Sequence, residues 1–99
     1  MKYRKEDIVK VVKPGHVYSL HISMFRTLGF KNKVHNLYDP RMENDIWQIF
    51  NVCKNVTNTQ YVYAIVNQKG DELLIGENGL CRLNLIEATI YKINQELKN

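Results

Sequence analysis

Apolar residues fall into short runs separated by turn residues, and the first clear run is Asp7 to Val12. Its apolar positions, Ile8, Val9, Val11 and Val12, are all β-branched, and Lys13-Pro14-Gly15 stops it. β-branched side chains suit a pleated surface and Pro-Gly is strong turn punctuation, so this run predicts a strand. The best strand signals come later. Ile46 to Cys53 is apolar on both alternating faces, with Ile46, Phe50 and Val52 on one and Trp47, Ile49 and Cys53 on the other. A strand of that kind needs cover on both sides. Tyr61 to Asn67 and Glu72 to Ile75 flank Gln68-Lys69-Gly70, a hairpin loop with Gly70 at the left-handed position. Gly76-Glu77-Asn78-Gly79 makes a second tight turn, and Leu80 to Leu83 is a short extended segment.

Two segments have a helical period instead. Gly29 fits the position just past a helix, so a short helix is expected to end at Leu28, capped by Ser19 or Ser23, with Met24, Phe25 and Leu28 on one face. Residues 30–45 carry no clean periodicity and read as a long irregular loop, a kind often functional. In the tail, Asn84 and Glu87 resemble a capping box, and Ile86, Ile90, Ile93 and Leu97 recur at intervals of 4, 3 and 4. Thr89, Tyr91 and the β-branched isoleucines leave a strand reading open. As a helix, residues 84–99 are the available cover for the strand at 46–53. Ile86, Ile90, Ile93 and Leu97 are then expected to pack near Trp47 and Ile49.

Ninety-nine residues, 44% of them hydrophobic, suffice for one domain with a real core and not for two. Residues 1–99 therefore read as one mainly β (α+β) domain with a C-terminal helical extension. Cys53 and Cys81 lie in apolar strand-like runs, the setting of reduced structural thiols. The basic start has no apolar stretch behind it and no run is long enough to span a bilayer, so the expected location is cytoplasmic, away from membranes. Charge changes this picture. Residues 1–35 hold eight cations and two anions, while residues 36–99 hold six cations and eight anions. A basic front third attracts phosphate backbones or acidic proteins, although solvated lysines also serve simply to keep a surface soluble.

Candidate chemistry is sparse. His16, His21 and His35 have no metal-ligand spacing, no Cys-x-x-Cys occurs, and neither cysteine sits beside an evident base. No paired carboxylates and no glycine-rich phosphate loop stand out. The expectation is a chain without enzyme activity, metal or small-molecule cofactor. The basic stretch interleaved with aromatics remains. Lys10, Lys13, Arg26, Lys31, Lys33, Tyr38 and Arg41 form the candidate nucleic-acid site, cations for phosphates and Tyr38 for stacking on a base. A nucleic-acid-binding regulator of transcription or translation is the leading reading. The alternative is a protein–protein interaction module that binds and modulates a host or partner protein through residues 30–45 or a strand edge, with Phe30 and Tyr38 presented there.

The element order is a strand, a long excursion with a helical turn, then three strands joined by short turns. Carried by Asp7 to Val12, Tyr61 to Val66 and Gly70 to Glu77, it resembles the SH3-like small β-barrels, including the KOW-type domains of transcription and translation proteins. The likeness covers about three quarters of the chain and its motifs are loose. KOW domains usually carry a glycine early in the strand that here is Ile46 to Cys53, and this sequence has none there. The chain also resembles small proteins of large phages, in keeping with its ten Lys, eleven Asn and nine Ile.

Overall fold

The computed structural model describes residues 1–18, 27–31, 37–54 and 60–98. Among these residues are six strands, β1 (Ile8–Val11), β2 (Val17–Tyr18), β3 (Trp47–Lys54), β4 (Tyr61–Val66), β5 (Glu72–Gly76) and β6 (Leu80–Arg82), followed by one long helix, α1 (Leu85–Lys98). The strands pair antiparallel in one sheet of order β2-β5-β4-β3-β1-β6. The expected strands are all present, each end within two residues of where the pattern puts it.

Short connections impose curvature on this sheet. A 3-10 turn at Glu77–Gly79 joins β5 to β6, and another at Pro14–His16 joins β1 to β2, yet each pair lies near opposite ends of the strand order. With strands about 4.8 Å apart, a three-residue link cannot cross a flat sheet of that width. The sheet therefore curls into a half-barrel. Where the two turns meet, the Val12 and Lys13 amides both donate to the Gly79 carbonyl, at 2.8 and 3.2 Å. Gly79 has no room for a side chain: a Cβ there would stand 2.7 Å from Ile75 Cδ1 and 2.9 Å from His16 Cβ.

The concave face holds the main core of Tyr3, Val9, Val11, Trp47, Ile49, Tyr63, Ile65, Leu73, Ile75 and Leu80. Alternation along β3 is broken by a bulge between Ile49 and Asn51. Asn51 holds it, donating from Nδ2 to the Leu28 carbonyl at 2.8 Å and accepting from the Val52 amide at 2.9 Å. One extra residue reverses the faces beyond it. Val52 therefore joins Trp47 and Ile49 on the main core, while Cys53 joins Phe50 on the other side. Strict alternation assigns these two residues the opposite way.

The second face is covered, but not by the tail. Val62, Ala64 and Leu74 are packed by Tyr18, Leu28, Phe30, Phe50 and Cys53. Phe30 meets Phe50 edge-on, with centroids 5.2 Å apart. Thr27 and Leu28 are helical and Gly29 has φ 86°, as expected for a helix ending there; Ser19, Ser23, Met24 and Phe25 lie outside the described residues. The Lys31 amide donates to both oxygens of the buried Glu72 carboxylate, at 2.9 and 3.1 Å, and fixes this segment to β5.

The tail is helical, and its capping box forms in full. The Glu87 amide donates to Asn84 Oδ1 at 2.8 Å, and the Asn84 amide donates to Glu87 Oε1 at 3.0 Å. Its packing differs from expectation. Ile86, Ile90, Ile93 and Leu97 are 72, 52, 49 and 80% exposed, while Trp47 and Ile49 are fully enclosed within the barrel. The reason is occupancy: the barrel's own strands fill the inner face and Leu28 and Phe30 fill the outer one. Among the described residues, both faces of the sheet are thus packed without the helix.

Candidate interaction surface

Among the described candidate cations, Lys10 and Arg41 each meet a carboxylate. Lys10 points outward from β1 and donates to Glu87 Oε2 at 2.6 Å, with both side chains about 30% exposed. This bond raises the Lys10 pKa, and it is the main cause that lowers the Glu87 carboxyl, followed by the Asn84 amide. Arg41 stands in the 3-10 turn Pro40–Met42 and folds back on Asp39, its Nη2 3.0 Å from Oδ2, while its amide donates to Oδ1 at 2.9 Å. Those contacts raise Arg41 and hold Asp39 below the usual carboxylate range. Lys13 and Lys31 are exposed. Arg26 and Lys33 lie outside the described residues.

Tyr38 is half-buried against the main core with Met42, and desolvation pushes its hydroxyl pKa up, helped by Glu43 and Asp45. It shares an open groove of about 600 Å³ with Lys10, Val12, Pro14, Glu43 and Glu87. Of the described site residues, this groove brings together Lys10 and Tyr38. Two carboxylates face one ammonium there, an arrangement unsuited to a phosphate. Cys53 is half-buried, and burial raises its thiol pKa, away from the thiolate that nucleophilic chemistry uses. Among the described residues no three His, Cys, Asp or Glu side chains gather as metal ligands, and no helix is long and apolar enough to cross a membrane.

The largest chemical anomaly is on α1. The side turned to the barrel is polar. Glu87 reaches Lys10, while Tyr91, Asn94 and Gln95 line narrow clefts against Ile46, Gln48 and the β4–β5 hairpin. The side turned to solvent is aliphatic, with Leu85, Ile86, Ile90, Ile93 and Leu97 all between 49 and 83% exposed. An amphipathic surface helix ordinarily faces its stripe to its own core. Here the rotation is the opposite one, with Glu87 bonded to Lys10 on the barrel side. The 4-3-4 spacing made the stripe readable in the sequence. Its direction was not, because period alone does not say which partner a face meets.

Compared with protein families, curated proteins and solved structures, the chain finds no match in any of the three.

Proposed function

We propose that the chain is a non-enzymatic protein–protein interaction module, an SH3-like small barrel that carries its working surface on α1. The observation behind this reading is the outward aliphatic stripe. A contiguous apolar patch of several hundred Å² on a small domain marks a contact surface far more often than scattered exposed leucines do. The order of a first strand, a long excursion and the β3–β4–β5 meander supports the SH3-like part.

The nucleic-acid reading is weaker by comparison. Two of its five described residues, Lys10 and Arg41, direct their charge to Glu87 and Asp39, and a third, Tyr38, is half-buried against the core. Exposed Lys13 and Lys31 are what it retains.

Capture from nuclease-treated cell extract tests the proposal, with the full chain and an Ile90→Asp/Ile93→Asp variant as baits. A stoichiometric protein retained by the first bait and lost by the second is the expected result. Nucleic acid held equally by both baits, with affinity that falls steeply as salt rises, would overturn it in favour of phosphate contacts.

A further inference from the structure

We infer that the occupant of the α1 stripe is a second copy of this chain, paired helix against helix in antiparallel orientation. This rests on α1 being the working surface and goes beyond that reading by naming what covers it.

The spacing selects a helix as partner. Ile86, Ile90, Ile93 and Leu97 recur at 4, 3 and 4, the average interval of 3.5 that keeps a seam facing another helix along its length. The stripe runs nearly the whole of a 14-residue helix, about 20 Å at 1.5 Å per residue. Isoleucine at Ile86 and Ile93, the positions where a parallel two-stranded coil prefers leucine, disfavours a parallel dimer. Parallel helices of this pattern favour three or four strands, so a trimer or tetramer in sedimentation overturns the antiparallel pair. In antiparallel register Ile90 packs on Ile93 of the other copy, and the two-fold axis makes each such layer occur twice.

Charge points the same way. The helix carries Glu87 and Glu96 against Lys92 and Lys98, so it is neutral overall. In the antiparallel register Glu96 falls opposite Thr89 on the solvent flank of the seam, where no like charges meet, while Glu87 and Asn94 face the chain's own barrel. A bilayer-seeking helix instead presents a polar face rich in Lys and Arg. Here the polar face is turned to the chain's own barrel and its charges balance.

Area sets the strength of the dimer. The four seam residues expose on the order of 450 Å² per copy, so a pair buries at most about 900 Å², the size of a weak, reversible interface. The barrel lies on the opposite side of α1, so it does not obstruct the approach of a second helix.

Sedimentation equilibrium of the full chain, from low micromolar to submillimolar concentration, reads the proposal directly. A monomer–dimer equilibrium is expected, with single variants Ile90→Asp and Ile93→Lys both monomeric and unchanged in circular dichroism. Mixing those two variants restores a dimer, because the introduced carboxylate of one then meets the introduced ammonium of the other in one layer, while Ile93 still meets Ile90 in the second. A wild-type chain monomeric throughout the range overturns the proposal, as does a dimer that Ile90→Asp leaves intact. Failure of the dimer is separable from failure of the interaction module. A monomeric chain that still captures a stripe-dependent protein from extract removes only the second copy, and one that captures nothing removes both.

Discussion

Tyr3 stands edge-on to Tyr63, with ring centroids 5.4 Å apart and planes at 76°, and both rings are enclosed within the barrel. The Tyr3 hydroxyl donates to the Leu80 carbonyl at 3.1 Å. The Lys2 and Tyr3 amides both donate to the Tyr63 hydroxyl at 3.2 Å, and that hydroxyl donates in turn to Glu77 at 2.8 Å. Outside them, the Arg82 guanidinium lies 5.1 Å from the Tyr3 ring and donates to the Lys2 carbonyl. Tyr3, ahead of β1, is thus part of the core. Tyr3→Ala is expected to cost about 3–5 kcal/mol, as for other buried aromatics, and Tyr3→Phe only about 1 kcal/mol for its hydrogen bond. Urea unfolding followed by the fluorescence of Trp47, the one tryptophan, measures both.

At Gly79 the two crossing turns leave no room for a methyl group. Gly79→Ala forces Ile75 and His16 apart and is expected to destabilise by about 1–3 kcal/mol, the usual cost of overpacking. Gly15→Ala, whose added Cβ meets nothing within 4 Å, is the control and should be close to neutral. Equal losses at the two sites would contradict the crossing geometry.

The Lys10–Glu87 bond makes stability depend on pH at both ends of the scale. A carboxyl lowered in the folded state contributes stability above its unfolded pKa and loses it as pH falls through the folded value. A lysine raised in the folded state contributes below its unfolded pKa and loses that as pH rises through the folded value. The wild type should therefore exceed Glu87→Gln in Tm across the neutral range, with the difference closing below the carboxylate range. Because both groups are partly solvated, added salt should shrink it as well. A difference constant from acid to neutral pH would show that the bond contributes nothing.

Deleting residues 85–99 should leave a folded barrel. Burying a large aliphatic side chain contributes roughly 1.5–3 kcal/mol, and those of α1 are not buried against the domain. Measured at dilution, the truncated chain should lose no more than about 5 °C in Tm, since 1 kcal/mol corresponds to about 4–8 °C at this size. Thermal denaturation at two concentrations checks this, and a collapse of the transition would mean that the helix supports the barrel after all.

Sequence pattern located β1, β3 and β4 because each is a β-branched or aromatic run closed by Gly, Pro or Asn, and β5 and β6 because tight turns bracket them; it did not show the two-residue β2. It located the tail helix because Asn84, Glu87 and the isoleucine spacing agree. What it missed depends on contacts between distant residues. The bulge at Asn51 arises from a bond to Leu28, so the faces of Val52 and Cys53 cannot be counted off β3 alone. Tyr3 sits in a charged stretch with no apolar pattern, and only Tyr63 and Leu80 make it core. In the sequence Lys10 stands as an unpaired charge, and it acquires its carboxylate only when α1 folds back beside β1.

The pairing of β1 with β6, with Val9 opposite Arg82, carries a cost in time. Nearest-neighbour strands β3, β4 and β5 close short loops and have the local contacts that form early. The two strands that complete the sheet are far apart along the chain, and bringing them together meets the largest loop-closure entropy in the molecule. During synthesis the first strand leaves the ribosome long before its partner, and must wait with an unpaired edge until Leu80 to Arg82 emerge. Its four-residue length and the outward Lys10 keep that waiting edge a poor template for other chains.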